Sequence, residues 1–308
     1  MSPKHLARMA LLLVLLLLLW GAAALARRQN HADALDRFTL PRIARDQVDS
    51  VRIERTGDTV TLVRRDTSTW QVNGHLASIP AVNDLMGALA DTAPSAELVA
   101  ERATSHAELG VDSAKGARVR VFGAGKVLAD LVAGHRTTDL NGVYLRFAGK
   151  DETYGVRGRF AEILDRRSDD WRDHRIATVM ADSVGSLEIN RGRRSYAALR
   201  GPKGWTFSTG APADSAGVAD LLGAFSQVAA TGFATQAEAD SATFNPPDRR
   251  ARLARKDGSS LLTLVFDSTK SGYWVRPDTS RTVYRIENWT ADRLTPPDSA
   301  LRSGKKGA

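Results

Sequence analysis

The feature that most constrains this chain is an internal duplication. Val48-Asp-Ser-Val-Arg-Ile-Glu-Arg55 lines up with Val184-Gly-Ser-Leu-Glu-Ile-Asn-Arg191, an offset of 136 residues. Trp70-Gln-Val72 matches Trp205-Thr-Phe207, and Val82-Asn-Asp-Leu-Met-Gly-Ala-Leu89 matches Val218-Ala-Asp-Leu-Leu-Gly-Ala-Phe225. Gly142-Val-Tyr-Leu-Arg146 then matches Gly272-Tyr-Trp-Val-Arg276, and Tyr154 matches Tyr284. Order is kept and spacing drifts by only a few residues, so one supersecondary plan is used twice.

Each copy checks the reading of the other. Val51 and Ile53 alternate, Gly57-Asp58 breaks the run, and Val60 and Leu62 alternate again. That is a hairpin with one buried face. A third strand starts at Trp70 or Trp205. Val82, Leu85, Met86 and Leu89 then fall at i, i+3, i+4 and i+7, as do Val218, Leu221, Leu222 and Phe225, which predicts a helix with one apolar stripe. Four more strands and a short closing helix follow in each copy. The expected fold class is α+β: two tandem modules, each a mainly antiparallel sheet with one packed helix. The expected limits are a stem over residues 29–46, modules over 47–165 and 179–296, a linker over 166–178 and a disordered tail over 297–308.

Residues 6–26 carry no charge but Arg8, and 21 residues of helix suffice to span a hydrocarbon core of about 30 Å. Residues 1–28 are therefore expected to be a transmembrane anchor ahead of the modules, with a cleaved signal peptide as the rival reading because Ala24-Leu25-Ala26 fits a cleavage site. Either places the rest of the chain outside the cytoplasm. Lys4, Arg8, Arg27 and Arg28 precede the first acid, and beyond Pro297 three bases face only Asp298. Most of the formal charge of +8 thus belongs to the two ends, which argues against a nucleic-acid-binding body. The chain has no cysteine, so thiolate metal sites, cysteine nucleophiles and disulfides are excluded.

The chemical motifs are weak. Gly123-Ala-Gly-Lys126 lacks the Ser or Thr of a phosphate-binding loop, and its counterpart, Lys256-Asp-Gly258, reads as a hairpin turn. Asp165, Asp169, Asp170, Asp173 and His174 have spacings suited to hard metal ligands, but four arginines are interleaved and favour a salt-bridged connector. His75 and His135 have no histidine counterpart in the second copy, which leaves a site confined to the first copy open. Trp70, Trp205, Trp274 and Trp289 suit either a carbohydrate platform or sheet cores, and the recurrence of Trp70 at Trp205 favours cores. Trp171, Arg172 and Arg175, at the junction of the copies, are the candidate binding residues for a groove between them. No catalytic residue, metal or cofactor is expected.

The apolar segment, the Val48 to Ile53 strand leading to Trp70, the Pro80 to Leu89 helix and the Trp171-Arg-Asp-His-Arg175 junction before Val184 together resemble the bacterial family catalogued as domain of unknown function 4340. The resemblance covers residues 1–296. It implies a membrane-anchored extracytoplasmic protein associated with ABC-transporter components of the gliding-motility type. It carries over no catalytic residues.

The functional expectation is a non-enzymatic accessory or binding protein. It would sit in the cytoplasmic (inner) membrane by a single span, with ABC-transporter subunits as partners and no nucleic acid. A cell-wall polymer or glycan binder and a cryptic metal-dependent hydrolase are the alternatives.

Overall fold

A computed structural model describes residues 20–22, 39–91 and 94–302. The expected anchor over residues 1–28 lies outside the described residues except at 20–22, and so do residues 303–308. Among the described residues no helix is long and apolar enough to cross a membrane.

The chain divides into two units, Met1–Asp173 and His174–Ala308. The first contains β1 (Ser50–Arg55), β2 (Asp58–Arg64), β3 (Trp70–Val72), β4 (His75–Leu76), α1 (Ile79–Ala90), β5 (Ala96–Ala100) and the short α2 (His106–Leu109). It continues through β6 (Ala117–Gly123), β7 (Lys126–Arg136), β8 (Gly142–Phe147), β9 (Thr153–Arg157) and α3 (Phe160–Asp165). The second contains β10 (Arg175–Ala177), β11 (Ser186–Arg191), β12 (Arg194–Gly201), β13 (Gly204–Phe207), α4 (Ser215–Phe225), β14 (Val228–Ala229) and β15 (Gly232–Phe233). Then come α5 (Gln236–Ser241), β16 (Arg249–Ala254), β17 (Ser260–Ser268), β18 (Tyr273–Pro277), β19 (Tyr284–Ile286) and α6 (Asn288–Leu294).

The sheets run β4-β3-β2-β1-β6-β7-β8-β9-β5 and β13-β12-β11-β16-β17-β18-β19-β15, while β10 pairs separately with β14. Apart from β4, the two orders correspond strand for strand, and the pairing is antiparallel throughout. The register shows the match in detail: Ile53 faces Val119 across β1 and β6, as Ile189 faces Ala251 across β11 and β16. The sequence reading placed four strands after the main helix, and the first unit has five. The extra strand, β5, lies at the far edge beside β9, so the chain must recross the sheet to begin β6 at its centre.

One face of each sheet is the core. Val51, Ile53, Val60, Leu62, Val119 and Val121 are buried with Val82, Leu85 and Leu89 of α1. Leu187, Ile189, Ala251, Leu253, Leu264 and Phe266 are buried with Val218, Leu221 and Phe225 of α4. Each large apolar side chain so buried contributes about 1.5–3 kcal/mol. Ser78 and Asp214 cap the two helices: the Ala81 amide donates to Ser78 Oγ, and the Gly217 amide donates to Asp214 Oδ2 at 3.2 Å.

The closing helices are clamped alike. Carbonyls at a helix C-terminus lack intrahelical partners. Arg55, last in β1, donates to the Arg166 carbonyl at 2.8 Å, and Arg191, last in β11, donates to the Thr295 carbonyl at 3.3 Å. Gly142 and Gly272 match too. A Cβ on either would lie 2.3 Å from the Val156 or Ile286 carbonyl oxygen of the neighbouring strand.

The copies begin and end elsewhere than the sequence suggests. Leu40 and Ile43, in the expected stem, are buried in the first core, and Ile176 and Val179, mostly in the expected linker, are buried in the second. The expected linker also contains Trp171, which is fully buried among first-unit residues, and the expected tail contains Leu301, which is 1% exposed. These two are equivalent. The Ser78 amide donates to the Trp171 carbonyl as the Asp214 amide does to the Leu301 carbonyl, both at 2.8 Å. Ala77 bridges Arg172 as Ala213 bridges Arg302. Linker and tail are thus one element used twice, a short strap that plugs the core beneath the main helix.

Trp171→Ala costs about 3–5 kcal/mol in denaturant unfolding. Trp171→Phe costs about 1–2 kcal/mol, because the ring contact stays and a buried indole N–H without an acceptor is removed. Gly142→Ala forces β8 and β9 apart and costs about 1–3 kcal/mol by the same measurement.

Candidate functional site

The three residues singled out at the junction have different fates. Trp171 has no exposed surface, and the Arg166 guanidinium lies 5.4 Å from its ring. It is a plug of the first core and offers a ligand no face, because an indole this apolar gains more from burial beneath α1 than from solvent. Arg172 has a side chain only 12% exposed and pairs with Asp169 at 3.2 Å. Arg175 opens β10, in the second unit, and is exposed. The structure therefore leaves Arg175 alone of the three with an open surface.

The junction acids are spent separately. Asp165 accepts from Arg136 at 2.6 Å, Asp170 from the Arg167 amide at 2.8 Å, and Asp169 from Arg172. His174 lies in the second unit, its Nδ1 3.1 Å from the Ala230 carbonyl. Among the described residues no group of three His, Asp or Glu side chains is placed to hold a metal. Gly123-Ala-Gly-Lys126 is the two-residue turn between β6 and β7, with Ala124 and Gly125 both at positive φ. Trp70 and Trp205 are core residues, Trp274 is half-buried, and Trp289 is 60% exposed. His75 lies at the edge strand β4, where burial pushes its pKa down.

The face of each sheet turned away from the core carries a matched set of arginines. Arg118, Arg120 and Arg146 in the first unit occupy the registers of Arg250, Arg252 and Arg276 in the second. In the first unit these are tied down. Arg118 forks onto Asp130 at 3.0 and 2.7 Å, and Glu54 accepts from Arg120 and Arg52. Arg146 Nε donates to the Val111 carbonyl at 2.8 Å and so holds the recrossing segment on the sheet. Arg276 does the corresponding work by stacking on Phe244, 4.7 Å from its ring, in the second recrossing segment.

Within the first unit, between its own recrossing segment and its sheet, lies an open cavity of about 390 Å3. Glu54, Arg118 and Arg146 form its sheet side, and Asp112, Ser113 and Gly116 its rim. Its polar groups largely satisfy one another. The Lys115 amide donates to Asp112 at 2.7 Å, and the Thr56 hydroxyl donates to the Ala114 carbonyl at 2.9 Å. Burial pushes the Arg55 pKa down, yet the guanidinium remains a cation. The arrangement suits a small polar ligand and lacks a nucleophile paired with a base. Sequence reasoning missed this cavity because the recrossing segment that roofs it has no periodic signature.

A family model described as Domain of unknown function (DUF4340) matches residues 75–247. No curated protein and no solved structure matches the chain. The matched stretch runs from β4 of the first unit to the residues just before β16 of the second. It covers more than half of the sequence, and the chain belongs to this family.

Proposed function

We propose that this protein binds rather than catalyses. In this reading it is tethered to the cytoplasmic membrane by residues 6–26, and its two units act outside the cytoplasm as an accessory to a membrane complex such as an ABC transporter.

The observation that carries the reading is that charged side chains are taken up in contacts that hold the scaffold, such as Arg166 on Asp84, Arg136 on Asp165 and Arg249 on Asp292. Among the described residues, every aspartate or glutamate that departs from its ordinary pKa is held below it by hydrogen bonds. Asp49 takes the Ala124 amide, Asp84 takes Arg166, Asp248 takes Ser268, and Glu238 takes the Thr235 amide. A general acid at neutral pH needs the opposite shift. These groups are locked anions that fix turns and straps. The matched arginines likewise hold helix ends and recrossing segments. Such a molecule spends its charged side chains on rigidity, which suits a surface that presents a fixed shape to a partner. The tether rests on the apolar run and its flanking bases.

A second reading, cell-wall polymer or glycan binding, draws on Trp289, whose exposed ring lies 5.9 Å from the Arg293 guanidinium. An exposed indole is a platform for a sugar ring.

Crosslinking and affinity capture from native membranes tests both. The full chain is expected to recover transporter subunits, and a chain lacking residues 1–28 to recover fewer. Capture of the protein alone, with the protein sedimenting with cell wall and Trp289→Ala releasing it, contradicts the accessory role and supports the glycan reading.

A further inference from the structure

The two units share one scaffold, so a place where they differ in charge and in open space marks a job that one of them does alone. The tip of the first hairpin is such a place. In the first unit Gly57 and Asp58 form it, and in the second Arg193 and Arg194 stand at those registers. The strap beneath differs in the opposite sense: Ser168 opens its 3-10 turn in the first unit and Asp298 in the second.

In the first unit this spot is closed. Ser168 donates to Asp58, and Asn73 reaches both Ser168 and the Thr59 carbonyl. In the second unit the same spot is an open cavity of about 810 Å3. Arg191, Arg193 and Arg194 line it from the hairpin, and Pro296 and Asp298 line it from the strap. Tyr196, which stands where the first unit has Val60, forms part of its floor and fixes it by donating to the Pro296 carbonyl at 2.7 Å.

The charges around this cavity are unequally committed. Asp292 takes Arg191 at 2.9 Å and Arg249 at 2.7 Å. Asp298, the one acid of the lining, is engaged by Arg302 at 3.0 and 2.8 Å, which holds its carboxyl below the usual range. The side chains of Arg193 and Arg194 form no hydrogen bond or ion pair among the described residues, while the Arg194 backbone pairs with Arg191 in the hairpin. The cavity therefore holds two exposed guanidinium groups outside any salt bridge, with Asp298 close enough to feel Arg194 but bonded to Arg302, above a floor of tyrosine and proline. Paired guanidinium forks fit the oxygens of a phosphate group, and the ring and prolines suit the carbon body of its ester.

We infer that the second unit binds a phosphate monoester or diester in this cavity, gripped by Arg193 and Arg194. The site stands on the second unit alone and does not depend on the tether or on any transporter partner. The phosphate belongs to a soluble ester or to a lipid head group, and the two sources are separable.

Isothermal titration calorimetry of the full chain in detergent tests the site. One arm uses glycerol 3-phosphate; the other compares dihexanoyl phosphatidylglycerol with dihexanoyl phosphatidylcholine below their micelle concentrations. The decisive variant is Arg193→Gly with Arg194→Asp, which places the first unit's glycine and aspartate at these two registers and leaves Gly192 to make the turn. Lys203→Gly with Lys270→Asp removes the same charge from exposed positions elsewhere.

The wild-type chain is expected to bind glycerol 3-phosphate, or phosphatidylglycerol in preference to phosphatidylcholine if the source is lipid. Added salt should weaken either. The tip variant removes both gripping guanidinium groups and should lose affinity by at least about tenfold, what a single charge-assisted contact is worth, while the lysine variant stays within about twofold. Absence of binding to all the probes overturns the inference. Equal losses in the two variants also overturn it, because they show general charge attraction. Thermal melting of both variants confirms that a lost signal is not a lost fold.

Discussion

Each unit depends on a plug at the end of its own copy. Trp171 and Leu301 sit beneath the main helices, and the carbonyl of each takes the amide of that helix's capping residue, Ser78 or Asp214. One element thereby joins three others: the cap of the main helix, the apolar floor under it, and the end of the closing helix, whose last carbonyls Arg55 or Arg191 holds. A helix end buried without partners is costly, and the apolar face of a sheet must be buried against another element. The strap answers both needs in a few residues. That is why the repeat runs to Arg172 and Arg302, past the last strand.

The same scaffold is then differently furnished. Core positions are kept apolar in both copies: Ile53 and Ile189, Leu131 and Leu264, Leu145 and Val275. The outer arginines keep their registers, and Arg146 and Arg276 among them tie down the recrossing segments. One change falls at the hairpin tip and in the strap facing it, where an acid and a serine in one copy become a base and an acid in the other. A duplicated fold lets one copy retain closure while the other opens a cavity. The clamp Arg55–Arg166 lies beside a filled spot, and the clamp Arg191–Thr295 beside an open one.

Much of this was legible in the residues. Alternation in Val51-Arg-Ile53 and the 3.6-residue stripe of Val82, Leu85, Met86 and Leu89 pointed to the hairpin and the helix, and the second copy repeated both. Gly142 and Gly272 stood out as a matched pair, and the close approach of a neighbouring carbonyl explains them. The straps were misread for a physical reason. Each is a single apolar residue among charged neighbours, Trp171 between aspartates and arginines and Leu301 beside a basic end, so its composition resembles a solvated connector. What identifies it is a backbone pairing to residues more than 80 positions away, which no local pattern records. The edge strand β5 escaped notice because half its residues face solvent and its partner, β9, is remote in sequence. The arginine-lined cavity of the second unit combines two segments, the hairpin and the strap, that are about 100 residues apart and meet only after folding.

The central claim is that each copy is closed by its strap. The most direct test compares two fragments of the first copy by far-ultraviolet circular dichroism and urea unfolding: residues 39–173, which include the strap, and residues 39–165, which lack only the strap. The account predicts a cooperative unfolding transition for the longer fragment and none for the shorter. Equal cooperativity in the two would contradict it and make the buried Trp171 an ornament of the junction.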